Sequence, residues 1–249
     1  MVEAIFKHRS IRKYTDKPVS EDLLNHILQG GIRAATTGNM QVYSILVSRS
    51  EEKKKQLWEA HFKQDMVREA PVVLTFCADV NRFHKWCDYR KAERAYDNFL
   101  WFFTAAIDAL LVAQNVAVEA EDNGLGTCYL GTTTYMSRKI IDILELPQGV
   151  VPVTTLTLGF PAEEPKLTDR LPLEGIVHEE SYKQYSRQAI DEIYAEKEAL
   201  EETRQLLEEN DKETLAQVFT DNRYRKQDNL HFSREFLDVI RQQGFMNNE

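Results

Sequence analysis

The chain has 249 residues, 43% apolar and 29% charged, with a formal net charge of −9. That length buries a substantial core without staples, and the composition is that of a globular chain. No broad basic stripe is present, which argues against a nucleic-acid partner; residues 190–213 alone hold ten acidic and three basic side chains, as a solvated helix face would.

An apolar-spaced turn (Val2, Ile5, Phe6) leads into His8-Arg9-Ser10-Ile11-Arg12. No basic segment followed by an apolar run precedes it, so no signal peptide is expected. Cys77, Cys87 and Cys128 are odd in number and lack metal spacing, which points to reduced, packed thiols and a cytoplasmic setting. Arg9 and Arg12 lie three apart and share a face if the helix persists through Arg12. Two guanidinium forks beside a hydroxyl suit a phosphate. The alternative is a solvated basic helix end that complements the C-terminal dipole.

Ser20 is placed to cap a helix carrying Leu23, Leu24, Ile27, Leu28 and Ile32, with Gly30-Gly31 weakening its end. The small, polar stretch from Ala34 to Gln41 reads as a loop where backbone approaches a ligand, or as an ordinary connection. Tyr43–Ser48 reads as a strand. Ser50 caps a charged helix to about Ala60, with Gln64 in the loop beyond it. Pro71–Asp79 is apolar enough for a central strand. Residues 81–96, with Arg82, His84, Lys85, Arg90 and Arg94, read as an irregular, mobile surface segment.

Asp97–Asn123 is the longest predicted element. Its apolar content suggests a membrane span, but Asp108, Gln114, Asn115 and Glu119 interrupt it. A helix apolar most of the way round belongs in a core or an interface, and two of them could form the seam of a dimer. Gly124-Leu125-Gly126 ends it. A short strand, Thr127–Leu130, leads to Gly131-Thr132-Thr133-Thr134, which matches neither the dinucleotide fingerprint nor the Walker pattern. Ser137 is placed to cap a helix to Leu146, and a strand from Val151 to Phe160 follows. Lys166 and Arg170 then lie in a proline-bounded loop. From Arg187 the composition shifts to charged helix, interrupted by the basic loop Asp221–Lys226. Strands and helices alternate irregularly, so an α+β fold is expected. The chain is expected to be one domain over 1–249, with 187–249 as a helical C-terminal excursion.

In this order the motifs resemble the FMN-dependent nitroreductase family, most closely its branch of oxygen-insensitive NADPH nitroreductases and NAD(P)H flavin reductases. The resemblance rests on His8 to Arg12, Phe76-Cys77-Ala78-Asp79, Asp108-Ala109 through Gln114-Asn115, Gly124-Leu125-Gly126 and Cys128-Tyr129-Leu130-Gly131. Leu144 to Pro147, Arg170-Leu171-Pro172, Val177-His178-Glu179 and Gly244-Phe245 continue it. It implies a central, mostly antiparallel sheet flanked by helices, in an intertwined homodimer with two flavins at the interface. Arg9, Ser10 and Arg12 would bind the FMN phosphate and ribityl chain, with His8 beside them, and Arg170 would join the phosphate cluster. Thr36, Thr37 and Asn39 match a loop that reaches the flavin of the partner subunit. Gln64 matches a glutamine that touches the isoalloxazine ring. Tyr129, Leu130 and Gly131 match the segment lying against the ring face.

The chain departs from that branch in three places. The loop at Thr36 to Gln41 is one residue shorter. The lysine expected two positions before Arg170 is Thr168, so Lys166 would have to reach the phosphate from a displaced position. Of the two arginines that hold the NADPH 2′-phosphate, Arg223 or Arg225 matches one and the other has no counterpart, which leaves NADPH or NADH open as the co-substrate. The implied activity is a two-electron ping-pong reduction of nitroaromatics, quinones or free flavins, with hydride delivered to the flavin N5 and no catalytic side chain named. The competing expectation is a non-catalytic flavin-binding carrier or redox-responsive protein.

Overall fold

The computed structural model describes residues 2–94 and 96–247. Their core is a sheet of four strands, β1 (Tyr43–Ser48), β2 (Val72–Asp79), β3 (Gly126–Leu130) and β4 (Val150–Gly159), in the order β1-β2-β4-β3 with every neighbouring pair antiparallel. Strand β2 has neighbours on both edges and layers on both faces, so all eight of its residues are buried. That is why it reads as a continuous apolar run rather than an alternation.

Helices precede and interleave the strands: α1 (Glu3–Lys7), α2 (Glu21–Gly31), α3 (Glu51–Ala60), α4 (Met66–Glu69), α5 (Asn81–Tyr89), α6 (Phe99–Asp122) and α7 (Ser137–Leu144). Ser20 and Ser50 cap α2 and α3, accepting from the backbone N–H groups of Leu23 and Lys53. Helix α6 is long and apolar enough to cross a membrane by length and composition. Here it packs against the sheet instead. Phe102, Ala105, Ala109, Val112, Ala113, Val116, Ala117 and Ala120 recur at three- and four-residue spacing and are buried. Helix α2 lies against α6, and a Cβ on Gly31 would stand 2.1 Å from Val116 Cγ2. Gly31 therefore sets how closely the two helices approach. The opposite stripe of α6, including Leu100, Phe103, Ile107, Leu110 and Leu111, is exposed, Leu100 to 65%.

The structure corrects two expectations. Residues 81–89 of the segment read as irregular form helix α5, whose Cys87 is buried; residue 95 of that segment lies outside the described residues. Its aromatic and basic side chains had hidden an amphipathic pattern, with Phe83 packed edge-on against Tyr96 and Trp86. The opening helix also stops early. Helix α1 ends at Lys7, and Ser10 forms a parallel bridge to Thr127.

The described chain divides into two compact units, 1–166 with 232–249 and 167–231. The second unit holds α8 (Arg187–Ala199), α9 (Glu201–Asn210), α10 (Leu215–Gln217) and a π-helical stretch, Val218–Arg223. The final helix, α11 (Lys226–Gln242), begins in the second unit and ends in the first, where Val239, Ile240 and Phe245 join a core cluster with Phe102, Ala105 and Val151. The second unit thus begins before α8 and ends inside α11.

Candidate functional site

The opening motif is extended. The Ile11 N–H donates to the Thr127 carbonyl at 2.8 Å, and Thr15 N–H and Ala162 N–H bond across to the Phe160 and Lys13 carbonyls. This segment covers the edge of β3. Its close approach explains Gly126, where a Cβ would lie 2.6 Å from Ile11 Cγ1. An extended backbone alternates its side chains, so residues three apart point to opposite sides. Arg9 and Arg12 therefore do not converge on a helix face. Arg9 lines an open hollow of about 740 Å³ with Ile11, Glu121, Glu163 and Glu164. Arg12 lies on the side of Cys128, where its charge opposes the rise in thiol pKa that burial causes.

Several donors here are already engaged by carboxylates. Glu163 Oε1 accepts from the backbone N–H groups of Arg12, at 2.7 Å, and Lys13, at 3.1 Å; Glu164 takes Arg9 Nη1 at 3.3 Å. The His8 ring meets the half-hidden carboxylate of Glu121 at 2.8 Å, and the Thr127 hydroxyl donates to the same oxygen at 2.6 Å. Other donors are uncommitted: Arg9 Nε is buried with no hydrogen-bond partner. Among the described residues the Arg12 guanidinium and the Ser10 hydroxyl likewise make no hydrogen bond or ion pair.

At the other end of β3, Tyr129, Leu130 and Gly131 line a hollow of about 440 Å³ with Leu110, Gln114, Thr134, Val153 and Thr154. A Cβ on Gly131 would meet nothing within 4 Å, so the backbone there borders open space. Burial raises the Tyr129 phenol pKa well above its ordinary range, and the Glu121 charge adds to the rise. The phenol is therefore a neutral hydroxyl at neutral pH.

Gln64 stands beside this end. Its Nε2 donates to the His61 carbonyl at 3.1 Å and to Thr132 Oγ1 at 3.4 Å. The His61 ring is fully buried, shares a 2.8 Å hydrogen bond between Nδ1 and Thr132 Oγ1, and has no partner at Nε2. Burial lowers its pKa to about 4, so it is neutral. Phe62 and Lys63, at φ 54° and 58°, hold left-handed backbone between His61 and Gln64. Such positions cost about 1 kcal/mol or more outside glycine and persist where the surroundings hold them. Here the Lys63 N–H is bonded to the Trp58 carbonyl, and Phe62 packs on Phe232.

The loop after α2 turns at Thr37–Asn39, with Gly38 and Asn39 both left-handed. The Thr37 N–H donates at 2.9 Å to Asp108, a carboxylate fully buried on α6 whose second oxygen is unpartnered. Thr36 and Asn39 border a smaller hollow with Arg33 and Gln41. Asp108 thus ties this loop to the central helix.

The remaining expected residues are Lys166, Arg170, Arg223 and Arg225. Lys166 is exposed at the end of the first unit. Within the second unit, Arg170 Nη1 donates to Thr168 Oγ1 at 2.7 Å and to the Asp169 carbonyl at 2.8 Å. Arg225 forks onto Asp228, and the Arg223 guanidinium lies 5.9 Å from the Phe219 ring centre. His61, Thr132 and Glu121 were not singled out by the sequence. The one signal for His61 is its place three residues before Gln64, just past the end of α3.

Residues 5–160 match the model of the nitroreductase family. Over 184 residues, 73% of this chain and 74% of the other, the sequence is 33% identical to the FMN reductase (NADPH) of Bacillus subtilis strain 168. A crystallised protein from Bacteroides fragilis NCTC 9343 is 55% identical and superimposes with a TM-score of 0.97 over 98% of this chain and all of that one. The NADPH:FMN oxidoreductase from Vibrio harveyi, crystallised with NAD+, gives a TM-score of 0.83 at 26% identity over 99% of both chains. By its sequence match and its antiparallel α+β architecture alike, the chain belongs to the nitroreductase family.

Proposed function

We propose that this protein is an FMN-dependent oxidoreductase that uses NAD(P)H to reduce small acceptors, with nitroaromatics, quinones and free flavins as the candidate substrates. The observation that carries this reading is the layout along β3. Uncommitted cationic and hydroxyl donors stand at its Gly126 end, and backbone open to a flat ligand stands at its Gly131 end. Thr127 and Gly131 are separated by about 13 Å at 3.3 Å of rise per strand residue. That spacing suits a phosphate at one pole and a ring system at the other. The Arg12 guanidinium and Ser10 hydroxyl, which share one side of the extended segment and have no partner among the described residues, and the open space over Gly131 are the features of this chain that fit such a ligand.

In this reading Ser10 and Arg12, with His8 beside them, hold the phosphate and ribityl chain, while Arg9 on the other side pairs with Glu164. Tyr129, Leu130 and Gly131 border the ring face, and Gln64 lies at its edge. When bound, FMN supplies the redox chemistry, taking hydride from NAD(P)H and passing two electrons to the acceptor. The chain's own work is positional and electrostatic: Arg12 contributes positive charge that favours the reduced, anionic form. The names of the Bacillus and Vibrio relatives support FMN and a nicotinamide co-substrate.

The exposed stripe of α6 supports a homodimer, since each large apolar side chain buried there stabilises association by about 1.5–3 kcal/mol before the costs of binding. In that dimer the loop at Thr36, Thr37 and Asn39 would reach the flavin of the second copy. Anaerobic mixing of the FMN-loaded protein with NADPH, and separately NADH, tests the activity. Bleaching of the oxidised-flavin band by either donor is expected; an unchanged spectrum with both would reject it. Sedimentation should give a dimer, and a stable flavin-bound monomer would contradict the shared site.

A further inference from the structure

We infer that His61 is a positioning residue that turns the Thr132 hydroxyl into a hydrogen-bond donor for the flavin ring, a role that rests on the flavin reading of the site. Three observations carry it. His61 is fully buried, its Nδ1 lies 2.8 Å from Thr132 Oγ1, and its Nε2 has no partner. A neutral imidazole carries one N–H. If that hydrogen were on Nε2, a buried donor would be orphaned; if it is on Nδ1, only an acceptor lone pair goes unmet. Orphaned buried N–H groups are the rarer and costlier arrangement.

The Nδ1–H form therefore prevails, and His61 donates to Thr132. Gln64 Nε2 donates to the same oxygen at 3.4 Å. A threonine hydroxyl has two acceptor lone pairs and one proton. With both lone pairs taken from inside the protein, the proton of Thr132 is left to serve an acceptor outside the network. Thr132 directly follows Gly131, whose backbone borders open space, so that acceptor is an atom of the ring system. The burial that keeps His61 neutral also keeps the direction of the hydrogen bond constant across the working pH range.

The test compares the full-length parent with His61→Leu and His61→Gln after loading with FMN. FMN affinity, the two-electron midpoint potential of the bound flavin, and kcat and KM for NADPH are measured. Losing one donor to the ring disfavours the electron-rich form. His61→Leu should therefore keep FMN affinity within about threefold, shift the potential to a more negative value, and lower kcat about tenfold with KM little changed, the worth of one neutral hydrogen bond. His61→Gln retains an N–H donor and should recover most of both.

A parent-like potential in His61→Leu, or equal impairment in His61→Gln, overturns the assignment. If neither variant folds, the parent decides through the 15N shifts of the His61 ring in the FMN-free protein between pH 5.5 and 8. A constant Nδ1–H tautomer is expected, and an Nε2–H tautomer or an imidazolium overturns the assignment. If the parent binds no FMN, the flavin reading fails and this inference with it. FMN binding with parent-like variants overturns His61 alone.

Discussion

The two ends of β3 are built on different physics. At the Gly126 end the groups are charged and partly open to water: Arg9 pairs with Glu164 over a hollow that Glu121 and Glu163 also line, while the Arg12 guanidinium stands on the opposite side, and screening makes an exposed ion pair of this kind weak. At the Gly131 end the groups are neutral, with the buried His61 and the half-buried Thr132 and Gln64 closed into one network and a left-handed turn between two of its members. In the proposed function the uncommitted Arg12 guanidinium at the first end would attract an anion. Neutrality at the second gives fixed hydrogen-bond directions, which a titrating or solvated group could not keep. A ligand spanning both would be held at one end and tuned at the other.

The contrast can be broken at its structural root. Gly126→Ala should cost about 3 kcal/mol, because the added methyl meets the β-branched Ile11 and the bridge that docks the opening strand. Urea unfolding measures this, and a loss below 0.5 kcal/mol would mean that the opening strand is not held as described. Next in size is Arg12→Ala, which should weaken FMN binding ten- to a hundredfold, or about 1.5–3 kcal/mol for hydrogen bonds to a charged group, with little change in stability. Full flavin occupancy in dilute Arg12→Ala would remove the phosphate assignment.

The neutral end predicts a pH effect instead. The folded pKa of His61 lies near 4, below its ordinary 6.5, so the unfolded chain binds the extra proton between these values. Stability from this group is full above pH 6.5 and is lost as pH falls towards 4. Between pH 7 and 5 the parent should lose about 2 kcal/mol that His61→Leu does not. Parallel pH dependences in the two proteins would show that the ring is not buried neutral. The smallest effect is expected at Gly131→Ala, where open space leaves stability within about 0.5 kcal/mol while FMN binding weakens. A destabilised variant with unchanged FMN affinity would reverse that expectation.

Local pattern carried much of the architecture. Tyr43–Ser48 was placed residue for residue, and Val72–Asp79 and Phe99–Asp122 to within two residues, because buried strands and helices write their periods into contiguous sequence. Ser20 and Ser50 were legible as caps for the same reason, whereas Ser137 is not a cap: it is the first residue of α7, after the N-cap Met136, and its hydroxyl donates back to the Thr133 carbonyl. Helix α5 was missed because its buried stripe is short and its aromatic residues face several ways. The Arg9–Arg12 pair misled because spacing predicts a shared face only after the backbone conformation is known, and the edge of β3 holds this segment extended.

What the sequence determined by itself was the order of the four strands, the apolar content of α6 and, through ordered motifs, the family. Only the tertiary structure decided which side of the opening strand each arginine takes, that His61 is buried and neutral, and that Asp108 anchors the loop at Thr37. These depend on contacts between residues that lie from three to more than a hundred positions apart. Burial, desolvation and hydrogen-bond direction exist only once those segments are packed together.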